Sequence, residues 1–74
     1  MVATSHLLVI DDDRRLRELL QKYLEENGYQ VLIAASAHEA RQKLIPTPQL
    51  IVLDLMMPEE SGLEFLQWLR NDMK

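Results

Sequence analysis

With 74 residues the chain holds one domain at most, and a core this small buries only about 60% of the surface its unfolded form exposes. It has no cysteine, which excludes a disulfide framework, thiolate metal sites and cysteine nucleophiles, and fits a reducing, cytoplasmic setting. Twelve acidic against eight basic residues give a net charge of −4, which argues against a grip on nucleic-acid phosphates, and no apolar run nears the roughly 18 residues of a membrane span.

The opening Met1-Val2-Ala3-Thr4-Ser5 lacks the basic-then-apolar pattern of a signal peptide. Leu7-Leu8-Val9-Ile10 is apolar at every position, which predicts a strand buried on both faces. It stops at Asp11-Asp12-Asp13. Leu16, Leu19, Leu20, Tyr23 and Leu24 then fall at helical spacing on one stripe, with Asp13 as the expected cap and Asn27-Gly28 as the expected stop. Residues 29–35 read as a second strand around Val31-Leu32-Ile33. Ser36 and Glu39 match a capping box, which predicts a short helix to about residue 45 with Ala37, Ala40 and Leu44 inward. Pro46-Thr47-Pro48 ends it. Leu50-Ile51-Val52-Leu53 is the second fully apolar run, and it also ends in an aspartate, Asp54. After a loop at Met56-Met57-Pro58-Glu59-Glu60, Ser61 and Glu64 repeat the capping-box spacing. A third helix should run to about residue 71, with Leu63, Leu66 and Leu69 inward and Phe65 or Trp68 at the margin.

The order β-α-β-α-β-α predicts a doubly wound α/β fold with a parallel sheet and helices on both faces. Right-handed crossovers allow the sheet order 2-1-3, with the first and third strands side by side. Ligands bind such sheets at the carboxyl ends of the strands, where the order reverses. Asp11 and Asp12 should therefore converge there with Asp54. Three carboxylates in one crevice repel one another, so at least one pKa should rise unless a cation is present. An all-oxygen donor set favours Mg2+, which keeps several waters and takes few protein ligands. A carboxylate beside such an ion is suited to attack a phosphoryl group.

Leu8-Val9-Ile10-Asp11-Asp12-Asp13, Val52-Leu53-Asp54-Leu55-Met56-Met57-Pro58 and Gly62-Leu63-Glu64 together resemble the receiver domains of two-component response regulators, the CheY-like superfamily with its flavodoxin-like fold. That family is itself a standard illustration of the switch-point rule. The resemblance implies Asp54 as phosphoacceptor and a phosphohistidine of a sensor histidine kinase as donor. It implies Asp12 as a direct Mg2+ ligand, Asp11 acting through a metal-bound water, and the Met56 backbone carbonyl as a further ligand. Pro58 and Gly62 would shape the loop after the acceptor, and Arg14, Arg15, Glu18 and Lys22 would help dock the kinase. The run from Asp13 to Leu20 looks most like the OmpR-type subfamily, whose members carry a winged-helix DNA-binding domain after the receiver. No output domain follows in these residues.

The family sheet has five strands, in the order 2-1-3-4-5. Residues 1–74 match about its first three fifths, and the lysine and Ser/Thr that read the phosphoryl group have no counterpart. None of Lys22, Lys43 or Lys74 takes the lysine's place. The expectation is a receiver fragment whose third strand is an exposed apolar edge, inviting self-association by edge pairing or domain exchange. Two other readings compete. One is an interaction module that dimerises without phosphorylation. The other is an aspartate-nucleophile phosphatase, for which Asp11-Asp12-Asp13-Arg14-Arg15 lacks the final threonine. His6 and His38 have no ligand partner in sequence, and Trp68 and Met56-Met57 read as packing residues.

Overall fold

A computed structural model describes residues 6–72. The expectations for residues 1–5 and for Lys74 lie outside them. The strands are β1 (His6–Ile10), β2 (Gln30–Ala34) and β3 (Leu50–Leu53), and the helices are α1 (Arg14–Glu26), α2 (Ala37–Arg41) and α3 (Gly62–Asp72). The sheet order is β2-β1-β3 and both pairings are parallel. Every residue of β1 is buried, as its unbroken apolar run requires of a central strand.

Register assigns the two faces. Leu8 pairs with Leu32 and Ile51, and Ile10 with Ala34 and Leu53. Partners in a parallel ladder point to the same side. On that side Leu8, Ile10 and Ala34 form one core with Ala37, Ala40 and Leu44 of the α2 region and with Met57 and Phe65, and Ile51, Leu53, Trp68 and Leu69 pack against it. Leu7, Val9 and Val31 are buried on the opposite face, which α1 covers.

The ends of α1 follow from its sequence. The Asp13 side chain accepts hydrogen bonds from the N–H groups of Arg15 and Leu16. At the other end Gly28 takes φ +91°, its N–H donates to Glu25, and the Tyr29 N–H donates to Leu24. This reciprocal pair is the Schellman arrangement, which glycine enters without a Cβ penalty. The apolar stripe of α1 has the expected period but is only partly covered. Leu20 and Leu24 are half-buried, whereas Leu16, Leu19 and Tyr23 are exposed.

Two boundaries differ from the sequence expectation. The second helix ends at Arg41 rather than near residue 45. Beyond it the N–H of Gln42 bonds to Glu39 and that of Lys43 to Ala40, so the last turn tightens. Ile45 precedes a proline, which disfavours helical backbone there. Leu44 is still buried, as expected.

The third helix is rotated by about one position. Leu63 and Leu66, expected inward, are 50% and 42% exposed, whereas Phe65, expected at the margin, is 0% exposed. Gly62, Phe65 and Leu69 form the inward stripe. The cause is Gly62: a Cβ there would collide with the Asp54 carbonyl oxygen and lie 2.7 Å from the Leu55 Cα. Close approach at that point sets the helix phase, and the benzyl group three residues on then falls over the sheet. The Met pair also divides, because Met57 packs in the core while Met56 is 84% exposed.

Candidate functional site

The sheet ladder brings the acids together. The Asp54 N–H donates to the Ile10 carbonyl at 2.9 Å, and the Asp11 N–H donates to the Ala34 carbonyl at 3.1 Å. Both strand ends are thereby pinned beside each other. Asp11, Asp12 and Asp54 each offer a carboxylate oxygen, and these oxygens lie within 4.8 Å of one another. Asp11 is buried, Asp54 half-buried and Asp12 exposed.

Each acid is held differently. Asp11 Oδ1 accepts from the Asp13 N–H at 2.9 Å, and its carbonyl accepts from Arg17 Nη1 at 2.9 Å. Asp54 Oδ1 accepts from the Met56 N–H at 3.0 Å. The Asp12 carboxyl is pushed above its ordinary value, first by lost hydration, then by a hydrogen bond shared with Asp54, with the charges of Asp54 and Asp11 adding to it. Asp12 remains exposed at its surface, so the paired carboxylates are the part of this crowding that a cation would relieve.

The donor set fits a small hard cation. Octahedral Mg2+ with bonds of about 2.1 Å places its ligand oxygens about 2.9 to 4.2 Å apart. The observed spread of up to 4.8 Å needs only a small closure, or a water in place of one direct contact. An adjoining cleft of about 510 Å³ is lined by Asp12, Ser36, His38, Met57, Glu59 and Glu60 among others.

The loop after Asp54 is anchored along its length. Met57 packs in the core, and the Gly62 N–H donates to the Leu55 carbonyl at 3.1 Å. Ser61 and Glu64 form the reciprocal capping box, at 3.1 and 3.2 Å. Pro58 is exposed. Gly62 tolerates no side chain, because it rests on the backbone of Asp54 itself.

Arg14, Arg15, Glu18 and Lys22 are all exposed on α1. Arg14 and Glu18 form an i,i+4 pair at 3.6 Å. His38 is exposed at the rim of the cleft, whereas His6 is buried at the far end of β1 and its Nε2 has no partner among the described residues.

Sequence reasoning missed Arg17, Arg41 and Glu60. Arg41 Nη1 and Nη2 donate to the two carboxylate oxygens of Glu60 at 2.9 and 2.6 Å. One signal was present. Arg41 falls at i+4 from Ala37 and i+1 from Ala40, on the inward stripe of α2, where a charge needs a partner. Nothing comparable marks Arg17.

A three-stranded parallel α/β layer with three carboxylates at its switch point defines a receiver-like module. The family model described as "Response regulator receiver domain" matches residues 7–74, and the chain belongs to that family. It is 49% identical over 69 residues to Protein PetR of Rhodobacter capsulatus, covering 92% of this chain and 29% of that protein. It is 46% identical over 67 residues to the Transcriptional regulatory protein CpxR homolog of Haemophilus influenzae, covering 90% and 30% respectively. Among solved structures it resembles response regulator protein TrrA of Thermotoga maritima, in complex with Mg(2+)-BeF. The TM-score is 0.83 at 38% identity, over 90% of this chain and 59% of that one. The chain thus spans less than a third of the length of these curated relatives. Among the described residues no helix is long and apolar enough to cross a membrane.

Proposed function

We propose that this chain carries the phosphoacceptor site of a response regulator, with Asp54 taking a phosphoryl group from a phosphohistidine of a sensor histidine kinase. The observation that carries this reading is the convergence of Asp11, Asp12 and Asp54 within 4.8 Å at the ends of adjacent strands. Mg2+ is the fitting cofactor; Asp12, Asp54 and the Met56 carbonyl would hold it directly, and Asp11 mainly through a water. When bound it neutralises charge on the acids and on the incoming phosphoryl oxygens.

The chain's own residues do the rest. The Met56 N–H holds one Asp54 oxygen and leaves the other for attack. That oxygen forms the new P–O bond as the donor's P–N bond breaks; the bonding pair stays on the leaving imidazole nitrogen, which takes its proton from solvent. Asp11, turned by the Asp13 N–H and tied through its carbonyl to Arg17, would orient a water on the bound cation. Pro58 and Gly62 shape the loop, and exposed Arg14, Arg15, Glu18 and Lys22 offer a charged helix face to the kinase. The chain acts as a phosphoacceptor rather than a turnover enzyme. Its setting is the cytoplasm, and its parent regulates transcription, as the name of the H. influenzae relative says of that protein.

The test is thermal unfolding with and without Mg2+. A ligand that binds only the folded state adds about 2.7 kcal/mol at a hundred times its Kd. A clear rise in Tm is expected at neutral pH. The Asp12 carboxyl lies above its usual 3.8 in the folded chain, so without the ion the folded state binds more protons. Stability then falls as pH rises through and above that value. Protons and Mg2+ compete for the same oxygens, so the Mg2+ increment must be larger at neutral than at acid pH. No increment at saturating Mg2+ would count against the reading.

A second reading concerns assembly. The outer edge of β3 has no strand partner among the described residues, and Leu50 is 57% exposed. Leu50 and Val52 lie on the same face of the sheet as Leu7 and Val9, the face that carries α1 with its exposed Leu16, Leu19 and Tyr23. We propose that two copies of this chain cover that surface by pairing along β3 or by exchange. Sedimentation equilibrium should then show a concentration-dependent dimer, and a strict monomer at tens of micromolar would contradict it.

A further inference from the structure

The Arg41–Glu60 bridge reaches across the fold in a way that neither residue's local sequence requires. Arg41 ends α2 and Glu60 lies in the loop between β3 and α3, 19 positions away. Nη1 donates to Oε1 and Nη2 to Oε2, which is the fork geometry that fixes direction as well as distance. The same guanidinium lies over the Trp68 ring, 4.5 Å from its centroid, and 5.4 Å from that of Phe65. Those two rings are stacked at 5.9 Å. Phe65 is fully buried, so the Arg41 head group rests on a fixed platform. Each partner side chain is only 28% exposed, which shields the pair from solvent and salt.

The position of Glu60 gives the bridge a function. Glu60 lines the same cleft as Asp12. It also sits in the short loop that begins at Asp54 and carries Met56. The loop's other anchors are local or apolar: the Asp54–Met56 turn, Met57 in the core, and Gly62 against the Asp54 backbone. Asp54 at the loop's start is laddered to Ile10 of β1 and its far end is bonded to α3, but among the described polar contacts the Arg41 fork alone ties the loop to α2. Those anchors fix the loop's two ends on β1 and α3, and the fork is what fixes its middle against α2.

We infer that Arg41 and Glu60, seated on Phe65 and Trp68, are positioning residues that hold the loop after Asp54 in the pose needed to receive a divalent cation. The inference rests on the phosphoacceptor reading and adds a control element to it. The pair acts as one unit, because either half alone leaves the loop without its tie. The bridge persists into mildly acid solution, since the Arg41 hydrogen bonds hold the Glu60 carboxyl below its ordinary range.

The test is calorimetric Mg2+ titration of the full chain, of Arg41→Met, of Glu60→Gln and of the double variant, with Tm measured for each without Mg2+. Loss of an outer partner of a metal site typically weakens metal binding by about 10-fold or more. Each single variant should raise the Mg2+ Kd by about that factor while still unfolding cooperatively. The double variant should be no worse than either single, since both remove the same tie. Lower Tm values with unchanged Kd in both singles would show a merely structural bridge. That would overturn the inference and leave the phosphoacceptor reading standing. Absence of Mg2+ binding in the unsubstituted chain would overturn both.

Discussion

Asp54→Asn is expected to abolish phosphoryl uptake outright. The substitution is nearly isosteric, so the Met56 N–H can still donate to the side-chain oxygen at position 54. The Asp54 backbone also keeps its contact with Gly62 and its ladder bond to Ile10. Fold and loop should survive. What is lost is the nucleophile, because a neutral amide oxygen does not form a stable phosphoryl ester. One of three crowded carboxylates also disappears, which relieves the repulsion that raises the Asp12 carboxyl. The variant should therefore melt no lower than the parent without Mg2+ while showing a smaller Mg2+ increment. Phosphoryl uptake is read as intact mass after incubation with Mg2+ and a small phosphoramidate. A variant that still gained a phosphoryl group would move the acceptor elsewhere.

Phe65→Ala should unfold the chain. Phe65 is the largest of the fully buried side chains, with Leu8, Ile10 and Val9 next. Truncating a buried phenylalanine costs about 3–5 kcal/mol, from lost transfer energy and the cavity left behind. A core in a chain this short rarely supplies more than about 3–5 kcal/mol in total. The ring is also the platform for Trp68 and Arg41, so its loss loosens the loop as well as the core. Far-ultraviolet circular dichroism should show the collapse, whereas Leu63→Ala on the exposed side of the same helix should leave the spectrum intact. Equal effects from the two would contradict the observed phase of α3.

That helix phase also shows where sequence reasoning stops. The strands were legible because unbroken apolar runs such as Leu7-Leu8-Val9-Ile10 have few other uses. The caps were legible because Asp13, Ser36, Ser61 and Gly28 each satisfy backbone groups in a local, chemically specific way. The sheet order followed from handedness, and with it the meeting of Asp11, Asp12 and Asp54. The phase of α3 was not legible. Leu63, Leu66 and Leu69 and the alternative Gly62, Phe65 and Leu69 both fall at spacings that a helix allows on one side. The choice between them is made by a steric contact between Gly62 and Asp54, eight residues earlier.

The polar bridge was hidden for a related reason. Helical spacing puts Arg41 on the inward stripe of α2 but names no partner, Glu60 reads as an ordinary loop charge, and only the packed fold shows them in one fork over two aromatic rings. Arg17 reaches back to the Asp11 carbonyl from the first turn of α1, a contact that depends on rotamer rather than spacing. Side-chain length lets such residues choose among several partners, and tertiary packing decides. The carboxylates differ because their short side chains stay where the strand ends put them.

Peptide-level mass spectrometry of the chain, after incubation with Mg2+ and a small phosphoramidate, tests the central claim most directly. One phosphoryl group mapped to Asp54, absent when Mg2+ is chelated, is the expected result. A phosphoryl group on His6, His38, Asp11 or Asp12, or none at all on a chain shown to be folded, would contradict it.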